Sequence, residues 1–265
     1  MSTSSSQSAS TIDLASPFSL DGRVAVVTGA SSGLGDRFAR VLHAAGATVV
    51  AAARRTDRLE GLAADLGERL VPMTCDVLVD DDCERLIADS ISLHGHLDVL
   101  VNNAGIGAPM AAEDEPIAGF RGVVDTNLNA LFLLSQLAGR HMIEQGRGVI
   151  VNVASVLGQV ASAPIKQASY CASKGAVVNL TRELGVQWAR KGVRVNALAP
   201  GWFESEMTEL MFSDQSANDF MKRNCPMGRE GHAHELDGAL LFLCSDASTY
   251  VVGHTLTVDG GWVAR

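Results

Sequence analysis

At 265 residues with 47% apolar side chains, the chain is long enough for one large α/β domain and apolar enough to fill its core. Its net charge of −9 comes with no basic stripe, which argues against nucleic acid or an anionic membrane as a partner. Five scattered cysteines, none in a Cys-x-x-Cys pattern, point to reduced thiols and a cytoplasmic location. No stretch has the apolar length of a membrane span.

Residues 1–20 are expected to form a disordered N-terminal tail. The first 17 are rich in Ser, Thr and Gln, with neither the basic start nor the apolar segment of a signal peptide. A single domain is expected over residues 21–265. Val24–Val27 is a short, β-branched apolar run that reads as a buried strand. The glycines of Gly29-Ala30-Ser31-Ser32-Gly33-Leu34-Gly35 then open a helix patterned on Phe38, Val41 and Leu42. Gly29 permits a tight turn, Gly33 lets the backbone approach a pyrophosphate, and Gly35 lets the helix pack closely on the strand. The N-terminus of that helix offers free N–H groups to phosphates. Between a strand and a helix at the start of an alternating chain, such a turn reads as a dinucleotide site.

Further strands are expected at Thr48–Ala52, Leu70–Thr74, Leu97–Val101, Val149–Val153, Val193–Leu198 and Thr255–Val258. Helical patterns lie between them at Arg58–Leu66, Asp82–Ser92, Phe120–Ile143, Ser173–Lys191 and Ala233–Ser245. This alternation implies right-handed crossovers and an α/β fold. The expected architecture is a Rossmann-type doubly wound parallel sheet of about seven strands with helices on both faces. Ligands of such sheets bind at the carboxyl ends of the strands.

Two runs fall at those ends: Asn102-Asn103-Ala104-Gly105 after Val99–Val101, and Ser155 after the strand Val149–Val153. Tyr170 and Lys174 then lie four apart in a helical pattern (Ala172, Ala176, Val177, Leu180), so both project from one face. A phenol keeps its proton to a pKa of about 10. An ammonium beside it is expected to pull that value toward neutrality, where it can exchange a proton with an alcohol or carbonyl oxygen.

The Gly-x-x-x-Gly-x-Gly spacing, the Asn-Asn-Ala-Gly run, Ser155 and the Tyr170–Lys174 pair together resemble the short-chain dehydrogenase/reductase family, over about residues 20 to 265. The resemblance implies that Tyr170 is the general acid in carbonyl reduction and the base in alcohol oxidation. Ser155 would orient the substrate oxygen and stabilise developing alkoxide charge. Lys174 would tune the tyrosine and hold the nicotinamide ribose, and Asn127 would support a water relay behind the lysine. Gly29, Ser31, Ser32, Gly33, Leu34 and Gly35 would bind the cofactor's phosphates. Asp76, with Val77, would meet the adenine. Asn103, Ala104 and Gly105 would line the cofactor, as would Pro200, Gly201, Phe203 and Ser205 beside the nicotinamide. No metal is required.

The second strand ends Ala53-Arg54-Arg55. NAD-binding relatives carry an Asp near this point, whereas an Arg accommodates the extra phosphate of NADP. With Ala53 in place of the acid, no carboxylate is expected to repel a 2′-phosphate, and Arg54 can pair it as a fork. NADP(H) is therefore the expected preference, with NAD(H) the alternative. Ser32 stands where many NADP-preferring relatives have a basic residue, which leaves Arg55 or Arg58 to supply a second positive charge.

The stretch Gly201–Gly231 mixes polar residues with Trp202, Phe203, Met207, Met211, Phe212 and Phe220. It reads as apolar packing on the core and, by the resemblance, as a mobile lid over substrate. With Val156, Leu157 and Val160 it favours a small-molecule carbonyl or alcohol with an apolar body, such as a ketone or a 3-oxoacyl compound. Lys166 and Arg229 are single charges, and no arginine or lysine cluster announces a charged substrate. Cys171 is read as a packing residue, and His94, His96, His232 and His234 as loop residues rather than metal ligands. The interval between Ser155 and Tyr170 implies an enlarged loop. A catalytically idle NADP(H)-binding regulatory protein is the alternative function. The two long helical stretches carry apolar residues on more than one face, so a homotetramer is expected, with a dimer as the alternative.

Overall fold

Continuous runs of small and β-branched residues build the centre of the molecule, because a parallel sheet covered by helices has no solvent face. The computed structural model describes residues 13–107, 109–163, 165–204, 206, 208 and 215–265. Its seven strands are β1 (Val24–Thr28), β2 (Thr48–Ala53), β3 (Leu70–Thr74), β4 (Val99–Asn102), β5 (Gly148–Val153), β6 (Val193–Pro200) and β7 (Thr255–Val258). They form one parallel sheet in the order β3-β2-β1-β4-β5-β6-β7. The chain winds outward from β1 to β3 and then returns to β1's other side as β4. The doubly wound fold expected from the alternation is thus present, with its switch point between β1 and β4.

Strand residues alternate between two cores. Ala25 and Val27 face one cluster with Phe38 and Leu42 of α1 (Gly33–Ala44) and Leu240 and Leu243 of α8 (Asp237–Cys244). Val24 and Val26 face the other, with Leu86 and Ile87 of α3 (Asp80–His94), Leu134 and Met142 of α5 (Ala130–Gln145) and Leu184 of α6 (Ala168–Trp188). The remaining helices are α2 (Thr56–Leu66), α4 (Ile117–Val124) and α7 (Gln215–Asn224). No helix among the described residues is long and apolar enough to cross a membrane.

Several expected elements differ in their bounds: the helix expected over Ser173–Lys191 runs from Ala168 to Trp188, and Ala233–Ser245 divides into a 3-10 turn and α8. Two further differences carry more weight. The strand expected from Leu97 runs from Val99, although the Asp98 backbone still bonds to Val24 (3.0 Å) and Val149 (2.8 Å), while its side chain serves the end of the sheet. Its buried carboxylate accepts the Val24 N–H (2.9 Å) and faces Arg23 (3.5 Å), Arg147 (3.2 Å) and His96 (3.2 Å). The helix expected over Phe120–Ile143 is divided into α4 and α5 by a π-helical turn, Asp125–Asn129. Of the expected tail, residues 1–12 lie outside the described residues. Ser16–Phe18 forms a 3-10 turn, and Leu20 is buried with its N–H on Ala45 O (2.8 Å).

The turn after β1 depends on missing side chains. Gly29 and Gly33 have φ of +67° and +54°, left-handed values that cost other residues energy. A Cβ on Gly35 would stand 2.1 Å from Gly29 O and 2.5 Å from Asn103 Nδ2. Gly35→Ala is therefore expected to lower stability by about 2 kcal/mol or more through forced displacement of the turn. Gly61→Ala, at an exposed position in α2 with nothing within 4 Å of the added carbon, should raise it by about 0.5–1 kcal/mol. Thermal unfolding of both variants distinguishes the two effects, and equal behaviour would refute the close approach at Gly35.

Candidate active site

At the switch point, hydrogen bonds from β1 fix where β4 ends. Thr28 Oγ1 accepts the N–H groups of Asn103 and Ala104 (both 3.1 Å), while Asn103 Nδ2 donates to Thr28 O (2.9 Å). This sets Asn103, Ala104 and Gly105 against the glycine turn, so near that a Cβ on Gly29 would lie 2.9 Å from Ala104 Cα. A cleft of about 520 Å³ runs along these strand ends. Gly29, Ser31, Ser32, Gly33, Leu34 and Gly35 line one part of it, next to Arg54 and Arg55. Asp76 and Val77 line a second part, where Asp76 Oδ1 is capped by the Leu78 N–H (3.1 Å). Asn103, Ala104 and Gly105 form its middle, and Pro200, Gly201 and Phe203 a further wall. Ser155, Tyr170 and Lys174 line it as well.

Asn127 lies behind this cleft, and the π-helical turn accounts for its position. Such turns insert a residue into a helix and recur at functional sites. Here the turn carries the fully buried amide: Asn127 Oδ1 accepts the Ile106 N–H (2.8 Å), and Nδ2 donates to Ile106 O (2.9 Å) and Ser173 Oγ (3.0 Å). Asn127 and Lys174 approach the same point, since a Cβ on Gly105 would meet Asn127 Oδ1 at 3.1 Å and Lys174 Nζ at 3.5 Å. Lys174 Nζ donates to Val153 O (2.7 Å), which anchors α6 to the end of β5. Ser155 follows β5 and caps a short 3-10 turn, its Oγ accepting the Leu157 N–H (3.1 Å).

The electrostatics differ from the expectation of a lowered tyrosine. Burial pushes the Tyr170 phenol above its ordinary value, and the side-chain interaction with Ser155 only partly opposes it. Lys174 Nζ is 5.7 Å from the Tyr170 ring centroid. Burial holds its own ammonium down to about 8. Protein groups alone thus disfavour charge on both side chains, with desolvation the largest cause at each.

The end of the cleft beside the glycine turn is basic, and one feature there was invisible in the sequence. Arg55, rather than Arg54, reaches the glycine turn, with Nε on Ser31 Oγ (3.1 Å) and Nη2 on Ser32 Oγ (2.6 Å). Arg54 is exposed and makes no hydrogen bond or ion pair among the described residues. The expectation of no carboxylate here is not met, because the fold brings one from outside the strand end: Glu206 pairs with the Arg55 fork at 3.0 and 3.3 Å. No local pattern marks Glu206, which reaches this place only through the tertiary fold. Ile106, Thr126, Ala154 and Thr208 also line the cleft and were not singled out.

Beside Tyr170 the wall is apolar: Val156, Leu157, Trp202, Met221 and Cys225 pack with Ile165, Cys171 and Phe220. The Trp202 and Trp262 rings meet edge to face at 5.4 Å. Burial raises the Cys171 thiol, in keeping with a packing role. Lys166 pairs with Glu113 (3.4 Å) and Arg229 with Glu235 (2.7 Å). Ser205, Met207, Met211 and Phe212 lie outside the described residues. Among the described residues no three His, Cys, Asp or Glu side chains are grouped to hold a metal.

Comparison with known proteins agrees with this fold. A family model described as enoyl-(acyl carrier protein) reductase matches residues 29–263. The chain is 39% identical over 250 residues to the 2-dehydro-3-deoxy-D-gluconate 5-dehydrogenase of Bacillus subtilis, covering 94% of this chain and 97% of that protein. It is 34% identical to the 3-oxoacyl-[acyl-carrier-protein] reductase of Rickettsia prowazekii, over 91% of this chain and 97% of that one. Among solved structures, a gluconate 5-dehydrogenase from Burkholderia cenocepacia in complex with NADP and tartrate superposes with a TM-score of 0.91 at 36% identity. That match covers 96% of this chain and all of the other, 100%.

The Lys174 burial has a measurable consequence. Unfolded, a lysine keeps its proton to about 10.4; folded, Lys174 loses it near 8. At neutral pH the fold therefore bears a cost on the order of 3 kcal/mol for the buried charge. Between those values the unfolded chain binds the extra proton, so stability rises with pH. Lys174→Met, despite losing the bond to Val153 O, should melt above the parent at pH 7 by roughly 4 °C. That gap should narrow as pH is raised to 10. A less stable variant at pH 7, or a gap independent of pH, would contradict this burial cost.

Proposed function

The chain belongs to the short-chain dehydrogenase/reductase family, and on that premise we propose that it is an NADP(H)-preferring enzyme interconverting a ketone and a secondary alcohol. The observation that carries this reading is the single cleft that joins the glycine turn and Arg55 to Ser155, Tyr170 and Lys174. The turn fits a dinucleotide diphosphate: it has two left-handed glycines, a close backbone approach and the N-terminus of α1. The arginines at its edge fit a 2′-phosphate, and NAD(H) remains the alternative cofactor.

When bound, the nicotinamide supplies or accepts the hydride. The Ser155 hydroxyl donates to the substrate oxygen and holds it against Tyr170. Tyr170 gives its phenolic proton to that oxygen in reduction and takes one back in oxidation. Its raised value in the protein's own field favours the proton-donating form. Lys174, held by Val153 O, supplies positive charge near the phenol and a donor for the ribose. Asn127 keeps the Ile106 backbone and Ser173 fixed behind that lysine.

For the substrate, the apolar wall beside Tyr170 supports a ketone with an apolar body. Both cations singled out in the sequence are already paired with glutamates, which disfavours a carboxylate-bearing substrate such as those of the sugar-acid relatives. Exposed Phe132 on α5 and Val186 on α6 support assembly through those two helices.

Nicotinamide absorbance followed with NADPH and NADH over a panel of ketones and β-ketoesters tests the reading. Faster oxidation of NADPH is expected, with kcat/KM falling at least about 100-fold in Tyr170→Phe while NADPH binding persists. Tight NADPH binding with no turnover on any substrate would favour the catalytically idle regulatory protein instead.

A further inference from the structure

Arg55 makes four side-chain hydrogen bonds at the mouth of the cleft, and the partners divide into two kinds. Ser31 and Ser32 belong to the glycine turn, on which the diphosphate is proposed to sit. The other partner, Glu206, comes from the segment that follows β6, 151 positions along the chain from Arg55. Its two oxygens take the two Nη atoms of the guanidinium, and the Ser32 hydroxyl accepts from Nη2 of the same fork (2.6 Å). A planar pair of anionic oxygens on an arginine fork uses the donors that would hold a phosphate monoester. Arg58 adds positive charge to the same place, and Arg54 lines it without a partner among the described residues.

We propose that Glu206 occupies the 2′-phosphate subsite as a built-in competitor, and that its hold on Arg55 determines how far the protein discriminates NADP(H) from NAD(H). This rests on the reading of the cleft as a dinucleotide site. A carboxylate and a phosphate dianion cannot share one guanidinium without repulsion, so the phosphorylated cofactor must displace Glu206. The unphosphorylated one binds with the Arg55–Glu206 pair intact. Both partners are substantially exposed, 43% and 54%, and an exposed pair is weak enough to be displaced. The outcome is a muted preference for NADP(H) rather than an absolute one.

Binding of NADPH and of NADH, followed by nicotinamide fluorescence without substrate, isolates the 2′-phosphate from every other contact. Glu206→Gln should tighten NADPH about fivefold at low ionic strength and leave NADH within about twofold. The gain should fade in high salt and fall below about twofold in an Arg55→Ala background, since the two residues act on one another. Unchanged or weaker NADPH binding in Glu206→Gln overturns the proposal, as does an equal gain with Arg55 already removed. Failure of the parent protein to bind either nucleotide would overturn the dinucleotide reading itself. A parent that prefers NADPH while Glu206→Gln binds as the parent does would overturn this inference alone.

Discussion

Thr28 and Asn103 bind β1 to β4 where the strand order reverses, and the rest of the site is measured from that clasp. It brings two loops so close that neither Gly29 nor Gly35 has room for a side chain. The same approach opens the cleft above it, because chains leaving adjacent parallel strands toward opposite faces must part. Residues far apart in sequence then share one edge: the glycine turn from β1, Arg55 after β2, Asp76 after β3 and Ser155 after β5. Helix α6 crosses this edge and adds Tyr170 and Lys174. Its tie to β5 through Val153 O sets their depth.

Burial dominates the chemistry of that depth. Tyr170 is kept protonated and Lys174 is kept close to losing its proton, both from desolvation. The site therefore sacrifices stability for two groups whose protonation responds strongly to any new charge placed beside them. A bound nicotinamide cation adjoining the pair would alter the balance far more than it would for solvated side chains, because low-dielectric surroundings strengthen every charge interaction.

What the sequence revealed was set by local backbone demands. Left-handed turns require glycine, and a buried parallel strand requires an uninterrupted apolar run. Gly29 to Gly35 and the seven strands were therefore legible, β3 and β7 to the residue. The Tyr170–Lys174 spacing was legible for the same reason, being one turn of a helix. The features that escaped depend on contacts between distant segments. A uniform helical pattern across Phe120–Ile143 gives no sign of the π-helical turn, since the turn is stabilised by what Asn127 meets at Ile106 and Ser173. Asp98 looked like one more strand residue, and its backbone does pair with Val24 and Val149, but nothing local shows that its side chain serves Val24, Arg23 and Arg147. Glu206 reads as one polar residue among several; only the fold carries it to Arg55. The expected lowering of Tyr170 failed because spacing reports proximity to Lys174 and not the burial that both share.

The titration of Tyr170 with and without cofactor bears most directly on this mechanism. The chain has two tyrosines, and Tyr250 is fully exposed, so ring-carbon NMR of the labelled protein resolves the buried Tyr170 as a separate signal. Without cofactor, Tyr170 should hold its proton beyond the value of about 10 of a free phenol. With saturating NADP+ its midpoint should fall by about one unit or more. A Tyr170 midpoint that ignores the cofactor, or that lies below that of a free phenol without it, would contradict a phenol governed by burial and released by charge.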